Sequence, residues 1–236
     1  MSDIAANLAD IRSRITAACH RAGRDPASVE LIAVSKTFPA DAVREASQAG
    51  QLTFGESKLQ EAETKIDVLP GSLHWHFIGR VQRNKVRKIL SRFEVVHAID
   101  SLRLAQYTDE TAGELGLFPR VFLQVNIGGE ESKGGFVTET IRREIGELLS
   151  LKRLEVAGLM CIPPPGPEAE DSRRWFVALR ELRDGLERDT GVPLPALSMG
   201  MSGDFEVAIE EGATHLRVGS SIFGKRSYRV DGELGG

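Results

Sequence analysis

Apolar residues recur at Ile4, Leu8, Ile11, Ile15 and Ala18, a spacing that predicts a helix over Ile4–Arg21 with charges on its other face. The polar stretch from Gly23 to Ser28, which holds Gly and Pro, ends it. The pattern then changes. Short apolar runs, of the kind that form parallel strands buried on both faces, alternate with stretches of helical spacing. The runs predict strands at Leu31–Ser35, Leu52–Gly55, His76–Ile78, Val95–Ile99, Val121–Asn126, Val156–Met160, Ala196–Ser198 and Leu216–Val218. Helical spacing covers Ala40–Ala49, Leu59–Val68, Asn84–Ser91, Leu102–Leu115, Thr138–Leu149, Glu168–Asp189 and Asp204–Glu211. Several of these helices begin just after Pro, Ser, Thr or Asp, residues suited to opening a helix.

Eight strand–helix units in about 200 residues favour a closed barrel over an open sheet. An open doubly wound sheet usually carries a Gly-rich turn after its first strand. Here that position reads VSKTFP, without glycine. The expected fold is α/β, a single (β/α)8 TIM barrel with an extra N-terminal helix, forming one domain over residues 1–236. The polar, Gly-rich stretch 227–236 reads as a flexible tail.

Composition narrows the setting. The chain has 236 residues, of which 41% are hydrophobic and 27% charged, an ordinary soluble balance with enough apolar material for one core. A net charge of -4 gives no global basic field, so nucleic acid is not an expected partner. The two cysteines, Cys19 and Cys161, form no CxxC pair, which argues against a disulfide framework or zinc site and for a reducing, cytoplasmic compartment. The first residues lack a secretory apolar core, and no apolar run reaches the ~18 residues of a membrane span.

Barrel chemistry sits at the C-terminal ends of the strands. Lys36 directly follows the run LIAVS, where low-dielectric walls would depress its pKa and favour imine formation. The alternative is a strand-end lysine reaching out to solvent. Strand seven leads into Ser198-Met199-Gly200-Met201-Ser202-Gly203-Asp204, and strand eight into Gly219-Ser220-Ser221. Barrels often hold phosphate in these two loops, on backbone amides and the start of a short helix. Gly200 and Gly203 would let the backbone approach an anion, Ser202 offers a hydroxyl, and Asp204 could cap the next helix. Two such loops in a barrel where strands one and eight are neighbours would bring the phosphate site beside Lys36. Phosphate plus an imine-forming lysine describes a pyridoxal 5′-phosphate (PLP) site or a Schiff-base aldolase for a sugar phosphate. Arg217 either faces the cofactor ring nitrogen, keeping it unprotonated and the ring a weaker electron sink, or forms a structural ion pair.

Other polar features read more plainly. His74 and His76 share a strand face, but no third metal ligand accompanies them, which suits core or mouth histidines. The basic run Arg80–Arg92 holds no acid and reads as a solvated helix face, with Val86, Ile89, Leu90 and Phe93 turned inward. Asn126 and Ser132-Lys133-Gly134-Gly135 form a polar loop after strand five that could edge the site.

Together these segments resemble the PLP homeostasis proteins, relatives of the alanine racemase N-terminal domain. The resemblance runs from about Leu31 to Arg226, through AVSKTFP, FGESKLQE, HWHFIGRVQRNKV, VHAIDS, VNIGGEESKGGF, GLMCIPP, LSMGMSGDFEVAI and RVGSSIFGKR. It implies a barrel of the fold type III PLP class, with PLP as a Schiff base on Lys36. It also implies phosphate on Ser202, Gly219 and Ser220, and Arg217 near the pyridine nitrogen. It further implies a role in intracellular PLP carriage and homeostasis without robust turnover. Apo PLP-dependent enzymes are the expected partners, and a monomer the expected state. One departure stands out: the family usually reads FGENYVQE, and here Ser57 and Lys58 replace Asn and Tyr. Collected from strand ends and resemblance, the candidate cofactor-binding set is Lys36, Ser57, His76, Ser198, Gly200, Met201, Ser202, Arg217, Gly219 and Ser220, with no metal ligands.

The competing reading is a PLP enzyme of the racemase type. Two-base racemisation needs an acid/base on each face of the carbanion. In racemases of this fold the resemblance puts Lys on one face and a Tyr from a second domain on the other. The sequence offers Tyr107, in a predicted helix, and Tyr228, in the expected tail, so Cys161 or a histidine would have to substitute. For the aldolase, Glu56 is the one plausible carboxylate partner.

Overall fold

Asp3 opens the first helix, α1 (Ile4–Arg21), by accepting from Ala6 N–H at 2.9 Å, satisfying one of the free donors at the helix start. The structure is a computed structural model that describes residues 3–130 and 133–224. After α1 the alternation of strand and helix is regular: β1 (Glu30–Val34), α2 (Ala40–Gln48), β2 (Thr53–Glu56), α3 (Leu59–Ile66), β3 (His74–Phe77) and α4 (Val86–Leu90). It continues with β4 (Val95–Ile99), α5 (Leu102–Leu115), β5 (Arg120–Gln124), α6 (Thr138–Ser150), β6 (Glu155–Met160) and α7 (Arg173–Thr190). The last elements are β7 (Ala196–Met201), α8 (Phe205–Glu210), β8 (His215–Val218) and α9 (Ser220–Phe223).

All eight strands pair in parallel, and β8 closes on β1 through Leu31–Leu216 and Ile32–Arg217. The closed eight-stranded barrel expected from the sequence is the observed fold. Residues such as Phe54, Phe122 and Leu123 are fully buried, as walls covered on both faces require. The extra helix α1 packs on α8, α9 and α2. It buries Leu8, Ile11 and Ile15, each contributing about 1.5–3 kcal/mol on removal from water.

The strand ends move by one to three residues because pairing, not hydrophobicity, terminates them. β1 begins at Glu30 and stops at Val34, so Ser35 leaves the strand, although its N–H still donates to Gly55 O at 3.1 Å. β7 runs on to Met201, past the predicted Ser198, through a register irregularity against β8. The helix predicted over Glu168–Asp189 starts as a 3-10 turn, Ala169–Ser172, before α7, and α4 is likewise preceded by the turn Arg83–Lys85. Helix α9 has four residues, too few to show a period, and was not predicted. The expected tail 227–236 lies outside the described residues.

Gly158 is where two strands come too close for any side chain: a Cβ there would stand 1.8 Å from Ala196 O, its neighbour on β7. Gly158→Ala should therefore force β6 from β7 and cost about 3 kcal/mol, the upper end of the overpacking range. Urea midpoints of the two proteins check this; equal midpoints would mean the wall can yield.

Candidate functional site

Side chains alternate along β1, so Ile32 and Val34 point into the barrel while Ala33 and Ser35 point to the surrounding helices. A Cβ on Gly55 would meet Ile32 Cγ2 at 2.9 Å and Ile78 Cδ1 at 3.3 Å, which marks that face as the interior. The next residue in phase after Val34 is Lys36. It lines a cavity of about 250 Å³ at the C-terminal mouth, with Met201, Ser202, Arg217, Gly219 and Ser220. Val34, Ile78 and Ile162 form its apolar wall. The lysine after strand one and the two loops after strands seven and eight thus meet in one place.

The loops are tied to each other. Gly219 N–H and Ser221 N–H, at the start of α9, converge on Ser202 Oγ at 3.2 and 3.4 Å. A Cβ on Gly219 would lie 3.1 Å from Val34 O, so a side chain there would crowd the β1 wall. Asp204 does not cap α8 as expected. Its Oδ1 accepts from Met201 N–H at 2.7 Å and its Oδ2 from Ser172 Oγ at 2.9 Å, because the carboxylate turns back to brace its own loop. Gly200 does not line the cavity. With φ at +91°, its missing Cβ would meet Ala208 Cβ at 2.6 Å, so glycine there lets β7 turn tightly under α8.

Arg217 is almost fully buried below the cavity. Its guanidinium donates to Ser198 Oγ and, at 2.8 Å, to Cys161 O. Burial lowers its pKa. Its partners are a hydroxyl and a carbonyl, so the ion-pair alternative gives way to a neutral cradle that leaves the cation uncompensated by a direct carboxylate contact. Ser198 continues a polar chain down the barrel. His97 Nδ1 lies 2.8 Å from Ser198 Oγ, and His97 Nε2 lies 3.1 Å from His76 Nδ1. Burial depresses His76 to about 4 and His97 well below its ordinary range, so both rings are neutral at pH 7. Arginine only donates, so the Ser198 hydroxyl is free to donate onward to His97 Nδ1, leaving His97 Nε2–H to donate to His76. At the other end His215 meets Glu30 at 3.2 Å. Burial alone would raise Glu30, but its hydrogen bond to His215, the nearby His76 ring and the hydrogen bond from Thr53 hold it at about 2. Sequence reasoning missed His97; its signal was the alternation within VVHAI, which sets the ring inward.

Residues 6–227 match the family described as alanine racemase, N-terminal domain. A pyridoxal phosphate homeostasis protein of Pseudomonas aeruginosa is 47% identical over 232 residues, covering 97% of this chain and 98% of the relative. That of Aquifex aeolicus is 44% identical over 222 residues, covering 94% and 97%. The chain belongs to the pyridoxal phosphate homeostasis protein family. PipY of Synechococcus elongatus, solved without PLP, superposes with a TM-score of 0.85 at 41% identity, covering 94% of this chain and 100% of that one. The same protein with PLP bound gives 0.83 at 40% identity, with the same coverage. The alanine racemase of Bartonella henselae, at 15% identity and a TM-score of 0.74 over 60% of its length, shares the fold.

The remaining candidates in this homeostasis-family barrel fall elsewhere. Ser57, His76 and Ser198 do not line the cavity; His76 and Ser198 lie beneath Arg217, and the backbone of Ser57 crowds Gly79, whose Cβ would stand 2.1 Å from Ser57 O. Glu56, the aldolase partner, is on the outer face of the wall, bonded to Ser35 and to Lys65 of α3, and cannot reach the mouth. Burial pushes the Cys161 thiol up to about 12, which makes it inert. His74 pairs with Glu94 at the surface, at 2.9 Å. Lys133 donates to Pro163 O at 3.3 Å and lines a neighbouring cavity of about 370 Å³, while Asn126 closes its own loop on Glu130 O and Lys133 O. In the basic run, Arg92 pairs with Asp67, Arg87 with Glu114, and Arg83 lies over the Tyr107 ring. Val86, Ile89, Leu90 and Phe93 are turned into the core as expected.

Proposed function

We propose that this chain binds PLP covalently at Lys36 and carries it within the cytoplasmic PLP pool, without robust turnover. One observation carries the reading: Lys36, Arg217 and the Ser202–Gly219–Ser220 loops share one solvent-open cavity. The residues fit the group. The Gly219 and Ser221 amides, held together by their long bonds to Ser202 Oγ, would pass to a phosphate that takes over as their acceptor, with the Ser202 hydroxyl turned to it as a further donor, and Lys36 supplies the amine. PLP, when bound, supplies an aldehyde for amines and an electron-withdrawing ring. Arg217 is a guanidinium that stays charged and so opposes protonation of a ring nitrogen beside it, which weakens carbanion chemistry. The relatives' shared name and the PLP-bound PipY structure support the same reading.

The racemase alternative needs a second base at the mouth. Among the described residues, Tyr107 sits on α5 under Arg83, Cys161 is buried with its thiol protonated, and the neutral His76 and His97 stand behind Arg217. Tyr228 lies outside the described residues. Apo PLP-dependent enzymes are the proposed recipients and a monomer the proposed state; neither nucleic acid nor a membrane is a proposed partner.

The test combines titration with PLP, borohydride reduction and peptide mass mapping. The expected tag is on Lys36. The loaded protein, given L-alanine, should form D-alanine far more slowly than the ~1 s⁻¹ that marks the lower end of ordinary enzyme turnover. Given an apo PLP-dependent enzyme, it should restore that enzyme's activity. A tag on another lysine would overturn the site, and rapid racemisation would overturn the carrier reading.

A further inference from the structure

The two peptide groups that flank Lys36 are both held by a single ion pair outside the barrel wall. The carbonyl of Ser35 accepts from Lys65 Nζ at 2.8 Å. The N–H of Thr37 donates to Glu61 Oε1. Lys65 and Glu61 stand one turn apart on α3 and bond each other at 2.8 Å. The third donor of Lys65 goes to Glu56 Oε1 at 2.7 Å, and Ser35 Oγ donates to that same oxygen at 2.7 Å. Every proton of the buried ammonium is therefore used.

Thr37 needs this grip. It has φ at +72° and, among the described residues, is the one non-glycine in the left-handed region. A β-branched side chain is strained there and stays only where its surroundings hold it. Phe38 N–H donates to Ser35 O at 3.0 Å and closes the turn over Lys36. The cluster is poorly built for stability alone: Glu56 is fully buried, yet among the described residues its Oε2 has no hydrogen-bond partner. A buried ion pair that leaves a carboxylate oxygen orphaned is a costly way to add stability. It makes sense as a fixture that sets a direction.

We propose that Lys65 and Glu61 are positioning residues that lock the Ser35–Lys36–Thr37 turn in its strained form and so aim Lys36 into the mouth. This rests on the reading that PLP attaches at Lys36. Without the grip Thr37 relaxes, the peptide after Lys36 rotates, and the amine spends less time facing the cavity.

Glu61 is the residue to change, because its side chain is one-quarter exposed and Lys65 keeps Glu56 as a partner after its loss. Three variants separate positioning from folding: Glu61→Ala, Glu61→Gln, and Glu61→Ala combined with Thr37→Gly. Two readouts are taken: PLP affinity from the visible band, and amide hydrogen exchange of the peptide spanning residues 35–39 in the ligand-free protein. Glu61→Ala should weaken PLP about tenfold and speed exchange in that peptide. Glu61→Gln keeps an acceptor and should recover most of the loss. Adding Thr37→Gly, which adopts positive φ without strain, should return affinity to within about threefold of wild type. Wild-type affinity in Glu61→Ala, or a loss that Thr37→Gly does not repair, would overturn the proposal. Should the wild-type protein form no PLP adduct at Lys36, the functional reading falls. The exchange measurement then decides the grip: unchanged exchange in Glu61→Ala overturns it.

Discussion

Lys36→Ala should give a folded barrel that no longer shows a visible PLP band. Lys36 lies at the mouth, beyond the last paired residue of β1, and is not part of the core. Its loss should leave the urea midpoint within the ~0.5 kcal/mol typical of substitutions away from the core. Binding is another matter. On the proposed reading the Ser202 and Gly219–Ser221 loops are untouched and still hold a phosphate, but the covalent link is gone. Affinity should fall by at least about a hundredfold, or ~2.7 kcal/mol, and gel filtration should strip PLP from the protein. Borohydride should then leave no tag. A residual tag on Lys133, which lines the neighbouring cavity, would move the attachment site across the mouth.

Acid should destabilise the barrel earlier than its carboxylates alone would. The interior histidine His76 has its pKa depressed to about 4, against an ordinary 6.5. The folded state therefore refuses a proton that the unfolded chain accepts. Stability is full above pH 6.5 and falls as the pH drops towards 4, because the unfolded state binds more protons throughout that window. His76 alone accounts for about 3 kcal/mol of loss by pH 4, and His97, buried and pushed the same way, adds to it. Glu30, held at about 2 against an ordinary 4.5, gives a separate loss only as the pH falls below 4.5. Urea midpoints between pH 7 and 4 would trace the first step. His76→Asn, which does not titrate, should remove the His76 share of the slope and leave that of His97. A wild-type midpoint constant across that range would mean the rings are already protonated or wetted in the fold.

These two expectations meet at Arg217. The neutral ring pair is what allows a fully buried guanidinium to donate into the barrel without a second cation below it. Protonating His97 would place like charges on either side of Ser198. The acid-sensitive chain and the mouth-lining arginine are thus one structure.

The barrel was legible in the sequence because each strand–helix unit declares itself locally, through short apolar runs and helical spacing such as Val95–Ile99 followed by Leu102–Leu115. The place of Lys36 at the mouth was legible for the same reason: it sits next to a strand end. The convergence of Ser202 with Gly219 needed only β7 beside β8, and their meeting with Lys36 only the closure of β8 on β1. What only tertiary structure decided were contacts between residues distant in the chain and the faces from which they are made. His97 meets Ser198 across 101 positions, and Lys65 reaches Ser35 across 30. Neither pairing leaves a local period. Side-chain facing hangs on register, which one residue of slip reverses, so the irregularity in β7 moved Gly200 to the helix side while Ser198 stayed in the barrel. Glu56 went the other way from the mouth for the same reason: β2 sets alternate residues on opposite faces, and only the packed α3 says which face finds a lysine.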